Sequence, residues 1–104
     1  MSQKQVINIL KKYIALLNMS GIPVHKAYLY GSYRNNNATE NSDIDILVVS
    51  ASFDNNDKIR AKAWLLTEQV DARIEPYTIG LKKFLKDDVS PLLNIIREEG
   101  LEIV

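Results

Sequence analysis

Two carboxylates one residue apart, Asp43 and Asp45, open an apolar run that reads Ser42-Asp43-Ile44-Asp45-Ile46-Leu47-Val48-Val49-Ser50. Successive side chains of a strand point to opposite faces, so Asp43, Asp45 and Leu47 share one side and Ile44, Ile46 and Val48 the other. Two strand rises put the aspartate Cα atoms roughly 6.6 Å apart. Flexible carboxylate arms at that spacing can close on one divalent ion or on a pair about 3.5–4 Å apart. A hard ion such as Mg²⁺ suits an all-oxygen site and takes its remaining ligands from water and substrate phosphates.

Ten residues separate Asp43 from Gly31-Ser32, which ends a second apolar run, Tyr28-Leu29-Tyr30. Gly lets a backbone approach an anion closely and turn where a side chain would block it. Ser adds a hydroxyl donor, and a short helix starting there would offer free N–H groups to a triphosphate. Gly-Ser alone is a common loop dipeptide, and Asp-x-Asp at a strand mouth is often a solvated edge. It is the conjunction of strand, Asn-rich polar loop and acidic strand that points to a metal-phosphate site.

Gly31-Ser32 followed by Ser42-Asp43-Ile44-Asp45 resembles the signature of nucleotidyltransferases of the DNA polymerase beta superfamily, and in particular their minimal stand-alone domains. The resemblance covers most of the chain. It implies a polymerase beta palm-like nucleotidyltransferase fold and transfer of a nucleoside monophosphate from a nucleoside triphosphate, ATP for preference, to a hydroxyl. It also implies Mg²⁺ held by Asp43, Asp45 and a third acidic residue on a later strand. Ile74-Glu75-Pro76 resembles the form that strand takes in some minimal members, which makes Glu75 the third carboxylate and general base, with Asp71 the second choice. Gly31, Ser32, Arg34 and Ser42 are the implied nucleotide-binding positions, and Arg34 or Arg73 would assist electrostatically. Members often carry a small residue, a basic residue and Gly where this chain reads Arg34, Asn35 and Asn36, which shifts the loop's charge. Asn tolerates left-handed backbone better than other non-Gly residues, so the loop keeps its shape.

A chain of 104 residues, 46% hydrophobic and 25% charged, is of one-domain size and ordinary globular composition. We read residues 1–104 as a single domain. No apolar run approaches the about 18 residues of a membrane span, and the N-terminus lacks a signal-peptide pattern. The absence of Cys excludes disulfides and thiolate-bound zinc and fits a cytoplasmic setting. Thirteen basic and thirteen acidic residues cancel, which argues against a chain that grips nucleic acid by itself. The balance is uneven: residues 1–40 carry five basic and one acidic side chain, residues 41–104 eight and twelve.

The elements that must position these residues follow from periodicity. Ser2-Gln3-Lys4-Gln5 has the form of a capping box, and Val6, Leu10, Tyr13 and Leu17 recur at helical spacing until Gly21 and Pro23. Val24–Tyr30 reads as a strand that delivers Gly31. The lone His25 lies at its opposite end, and Tyr28 and Tyr30 read as core packing. After the turn-rich 51–57 segment a helix runs to about Gln69 on a stripe of Ile59, Ala63, Leu66 and Val70, widened by Trp64 and Leu65. Val70–Ile79 reads as a third strand with Asp71, Arg73 and Glu75 on one face and Pro76 marking an edge. A short helix over 80–86 with Thr78 as cap precedes a helix from Ser90 and Pro91 to Gly100 that bears Leu92, Leu93, Ile95 and Ile96. Leu101–Val104 adds a terminal strand. This order predicts an α+β fold with helices packed on a mixed sheet.

So short a chain leaves little surface to position an acceptor, so the hydroxyl is expected on a partner. The resemblance implies a small all-helical, HEPN-like partner protein in a toxin–antitoxin module, and it leaves room for self-association. The rival reading is a degenerate nucleotidyltransferase-fold module that binds and neutralises its partner without turnover.

Overall fold

A computed structural model describes residues 1–86 and 90–104. Helix α1 spans Gln3–Met19 and starts at the expected capping box: the Ser2 hydroxyl accepts from the Gln5 N–H while the Gln5 side chain accepts from the Ser2 N–H. Strand β1 (Lys26–Tyr30) follows, then β2 (Ile44–Ser50), a 3₁₀ turn, helix α2 (Asp57–Leu66) and a second 3₁₀ turn. Strand β3 (Ile74–Gly80) runs directly into helix α3 (Leu81–Lys86), and helix α4 (Pro91–Glu99) leads into strand β4 (Leu101–Glu102).

The four strands lie in the order β3-β2-β1-β4. The β1–β2 and β1–β4 pairs are antiparallel and β2–β3 is parallel, so the sheet is mixed, as the order of elements predicts. Strand alternation divides its two faces cleanly. Ala27, Leu29, Ile44, Ile46, Val48 and Ile74 pack with Val6, Leu10, Tyr13, Ile14 and Leu17 of α1 and with Ala63 of α2. The opposite face presents Leu47, Val49 and Ile79 to Phe84 of α3 and to Leu93 and Ile96 of α4. Tyr28, Tyr30 and Tyr77 pack against that second cluster, and Ile95 of α4 reaches the end of β1, where it lines a cavity with Tyr30 and Gly31.

Several boundaries differ from expectation. The first strand begins at Lys26 because the Val24 N–H donates to the Asn18 side chain, although His25 already donates to Val49 of β2. The third strand begins at Ile74, not Val70: residues 71–73 form a turn in which the Ile74 N–H donates to the Asp71 carbonyl. Thr78 lies inside that strand, paired with Val48, and so cannot cap α3 in the way the sequence suggests. The helix expected to reach Gln69 gives way to 3₁₀ geometry at Thr67, whose hydroxyl donates to the Trp64 carbonyl. Trp64 and Leu65 do not widen a buried stripe: they are 45% and 69% exposed, being rotated away from the Ile59–Ala63–Leu66 side. Leu92 and Ile95 are likewise exposed, and only Leu93 and Ile96 of α4 enter the core.

Candidate active site

The end of the sheet where β1 finishes and β2 and β3 begin gathers the acidic residues. Asp45 is the second residue of β2 and stands opposite Tyr30 on one side and Glu75 on the other. Paired residues point to the same face, so Tyr30, Asp45 and Glu75 form one row across three strands. Asp43 lies just before β2, exposed to solvent. The Glu75 carboxyl is close enough to both aspartates for their charges to act on it.

Electrostatics follow from this crowding. The charge of Asp43, then partial desolvation, then contact with both aspartates raise the Glu75 carboxyl above the usual carboxylate range. Burial first, then the charge of Asp43, raises Asp45, against a lowering contact from Glu75. Burial together with Asp45, Tyr77 and Glu75 pushes the Tyr30 phenol up to about 12. Negative charge therefore accumulates on one row, where a cation would relieve it.

Asp71, the alternative third carboxylate, is placed elsewhere. It sits in the turn before β3, where its Oδ1 accepts from the Arg73 N–H at 2.9 Å and from Arg73 Nε at 3.0 Å, and its Oδ2 from Arg73 Nη2 at 2.6 Å. That pairing holds its carboxyl below the ordinary range. Arg73 is occupied in the same contact. Strand alternation put Asp71, Arg73 and Glu75 on one face, but only Glu75 lies in a strand.

The segment after β1 forms a single helical turn. Asn35 N–H donates to the Gly31 carbonyl at 3.0 Å and Asn37 N–H to that of Ser32 at 2.9 Å. Among the described residues, the backbone N–H groups of Ser32, Tyr33 and Arg34 have no hydrogen-bond partner. Such unpaired donors at the start of a helical turn are suited to an anion. Gly31 has φ 78°, and a Cβ there would collide with the Asp45 carboxylate, so only Gly combines this turn with so close an approach to the acidic row. Asn36, at φ 59°, adopts the left-handed conformation that keeps the loop in shape.

Two candidates from the loop carry other work. The Ser42 hydroxyl accepts from the Thr39 N–H at 2.8 Å and fixes the approach to Asp43. Arg34 donates from Nε to the Glu99 carbonyl at 2.9 Å, tying the loop to the end of α4. It lines a cavity of about 150 Å³ with Tyr30, Gly31 and Ile95. Tyr30 and Tyr77 went unrecognised as neighbours of the acidic row. Tyr30 precedes Gly31 and Tyr77 follows Glu75 by two, and strand period alone places both on that face once the register is known.

The donor set is wholly carboxylate, which suits a hard divalent ion. Among the described residues, no three His, Cys, Asp or Glu side chains are spaced as a ready-made ligand set. Asp43, Asp45 and Glu75 thus supply the donor chemistry of a hard ion without forming a closed ligand set.

The nucleotidyltransferase domain family matches residues 4–103. The crystal structure of a candidate nucleotidyltransferase from Sulfolobus solfataricus superposes with a TM-score of 0.60 at 17% identity, covering 83% of this chain and 77% of that one. That likeness concerns the fold. No curated protein matches the chain. With the family match running from the first turn of α1 to the end of the chain, across both the Gly31 turn and the acidic row, this chain belongs to the nucleotidyltransferase domain family and is a nucleotidyltransferase.

Proposed function

We propose that this chain transfers the nucleoside monophosphate of a nucleoside triphosphate, with ATP as donor and Mg²⁺ as the ion, to a hydroxyl on a partner protein. The observation that carries this reading is the row Asp45–Glu75 beside Gly31: carboxylates crowd at one end of the sheet, and unpaired backbone donors follow directly after the glycine. Gly31 brings the backbone against the acidic row, and Ser32, Tyr33 and Arg34 offer N–H groups to the β and γ phosphates. Asp43, Asp45 and Glu75 would hold the ion, which when bound offsets charge on the triphosphate during in-line transfer. Glu75 is exposed at the rim, and its raised affinity for a proton suits it to accept one from an incoming hydroxyl.

Openness supports a macromolecular acceptor. Asp43 and Glu75 are both exposed, and the adjoining loop tip at Asn35–Asn37 is exposed as well. A hydroxyl carried on another protein can reach such a rim without a channel. The small helical partner of a toxin–antitoxin module is the candidate acceptor, and its docking at that rim would position the hydroxyl.

The test is transfer of label from ATP carrying it at the α or at the γ phosphate, with the protein encoded beside this one as acceptor. Label should pass from the α position only. Passage of γ label would make the chain a kinase-like enzyme. No transfer under any condition, with triphosphate binding intact, would make it a binding module without turnover.

A further inference from the structure

We propose that Gln3, at the start of α1, is a positioning residue for triphosphate binding, clamping the Gly31–Asn37 turn from behind through its side-chain amide. The inference rests on reading that turn as the phosphate site. Gln3 Nε2 donates to the Tyr33 carbonyl at 3.0 Å and to the Arg34 carbonyl at 3.4 Å, across thirty residues of sequence. A primary amide has two N–H donors, enough for one to each carbonyl.

The chemistry of the turn makes this contact more than incidental. A single helical turn has unpaired N–H groups at its beginning and unpaired carbonyls at its end. Here the beginning is the Ser32–Arg34 N–H group set proposed for phosphate. The left-handed residue Asn36 stops the helix, so the Tyr33 and Arg34 carbonyls have no following turn to accept from. Gln3 replaces that missing turn.

The fastening is rigid because α1 is. Val6, Leu10, Tyr13, Ile14 and Leu17 bury its face against the sheet, and the Tyr33 side chain is buried in the same core. The second fastening of the loop, Arg34 Nε to the Glu99 carbonyl, comes from the other side of the sheet. Gln3 therefore holds the donors in the orientation that a triphosphate needs before any ligand arrives. Preorganisation of this kind acts on affinity, because the ligand no longer bears the cost of ordering the loop.

Gln5 provides an internal control. It completes the capping box at the same helix start, and its side chain hydrogen-bonds to Ser2 and not to the loop. Wild type, Gln3→Ala, Gln3→Glu and Gln5→Ala would be titrated calorimetrically with a non-hydrolysable ATP analogue and MgCl₂, with thermal unfolding and amide hydrogen exchange measured on the same samples. Gln3→Ala should weaken binding about three- to tenfold. Gln3→Glu, which sets a carboxylate against two carbonyls, should weaken it further. Gln5→Ala should lower the melting temperature at least as much as Gln3→Ala yet leave affinity within twofold of wild type. Exchange at residues 33–37 should rise in the Gln3 variants alone. Equal affinity in wild type and Gln3→Ala, or equal loss in Gln3→Ala and Gln5→Ala, overturns the clamp while leaving the phosphate site standing. A wild type that binds no triphosphate overturns the phosphate site, and the clamp falls with it.

Discussion

Asp45 is the carboxylate with the most to gain from a counter-charge, since it is half-buried and faces both Asp43 and Glu75. Asp45→Asn should lower transfer at least about a hundredfold, the scale on which disturbing a metal site acts. It should also raise the melting temperature in EDTA, because it removes a desolvated and repelled charge. The sign of the pH dependence is fixed. Asp45 and Glu75 bind protons more readily folded than unfolded, so their stabilisation is complete below the ordinary carboxylate range of about 4. It is lost as pH rises through their raised folded values. The gap between Asp45→Asn and wild type, measured by thermal unfolding without divalent ion, should therefore widen from pH 4 to pH 7. A gap that narrows would mean that the row is not repulsive.

Gly31 belongs to the same scale. Gly31→Ala places a Cβ at φ 78° and into the Asp45 carboxylate. Denaturant unfolding should register about 1–3 kcal/mol from the backbone conformation alone, and calorimetry should register weaker triphosphate binding. Ser32→Ala, at ordinary geometry, should retain stability within about 0.5 kcal/mol.

At the scale of elements, the three parts that make the site were legible from residue types. Gly31-Ser32 closing one apolar run and Asp43-Ile44-Asp45 opening another define strand, turn and strand by local chemistry. The family resemblance ranked Glu75 before Asp71, but alternation alone could not, because it is blind to where a strand begins. Asp71 and Arg73 form a local ion pair in a turn, and local side-chain bonding of this kind competes with the ladder. The Gln3 contact was equally hidden, since nothing in a helix start reveals a carbonyl thirty residues away. The helices erred by rotation: Trp64 and Leu65 looked apolar enough for the core but fall off the Ile59–Ala63–Leu66 side. Substitution should separate the two kinds of apolar residue. Leu93→Ala, fully buried beneath the active face, should cost about 2–5 kcal/mol by denaturant unfolding. Leu65→Ala should stay within about 0.5 kcal/mol.

Over the whole molecule, the sheet separates stability from chemistry. One face carries the larger core with α1 and α2; the other packs against α3 and α4 and carries the acidic row at one end of its strands. The two tethers of the Gly31 turn, one from Gln3 of α1 and one to the Glu99 carbonyl of α4, come from opposite sides of the sheet. Among the described residues no helix is long and apolar enough to cross a membrane. In the proposed function Glu75, not Asp71, is the third carboxylate of a nucleotidyl transfer. The most direct test is label transfer from α-labelled ATP with Mg²⁺ and the neighbouring protein, run on wild type, Glu75→Gln and Asp71→Asn in parallel. Label should appear on the acceptor with wild type and, within about threefold, with Asp71→Asn, whose half-buried carboxylate is spent on Arg73 in the turn before β3. Glu75→Gln should lose at least about a hundredfold; full transfer by Glu75→Gln, or loss confined to Asp71→Asn, would contradict the assignment.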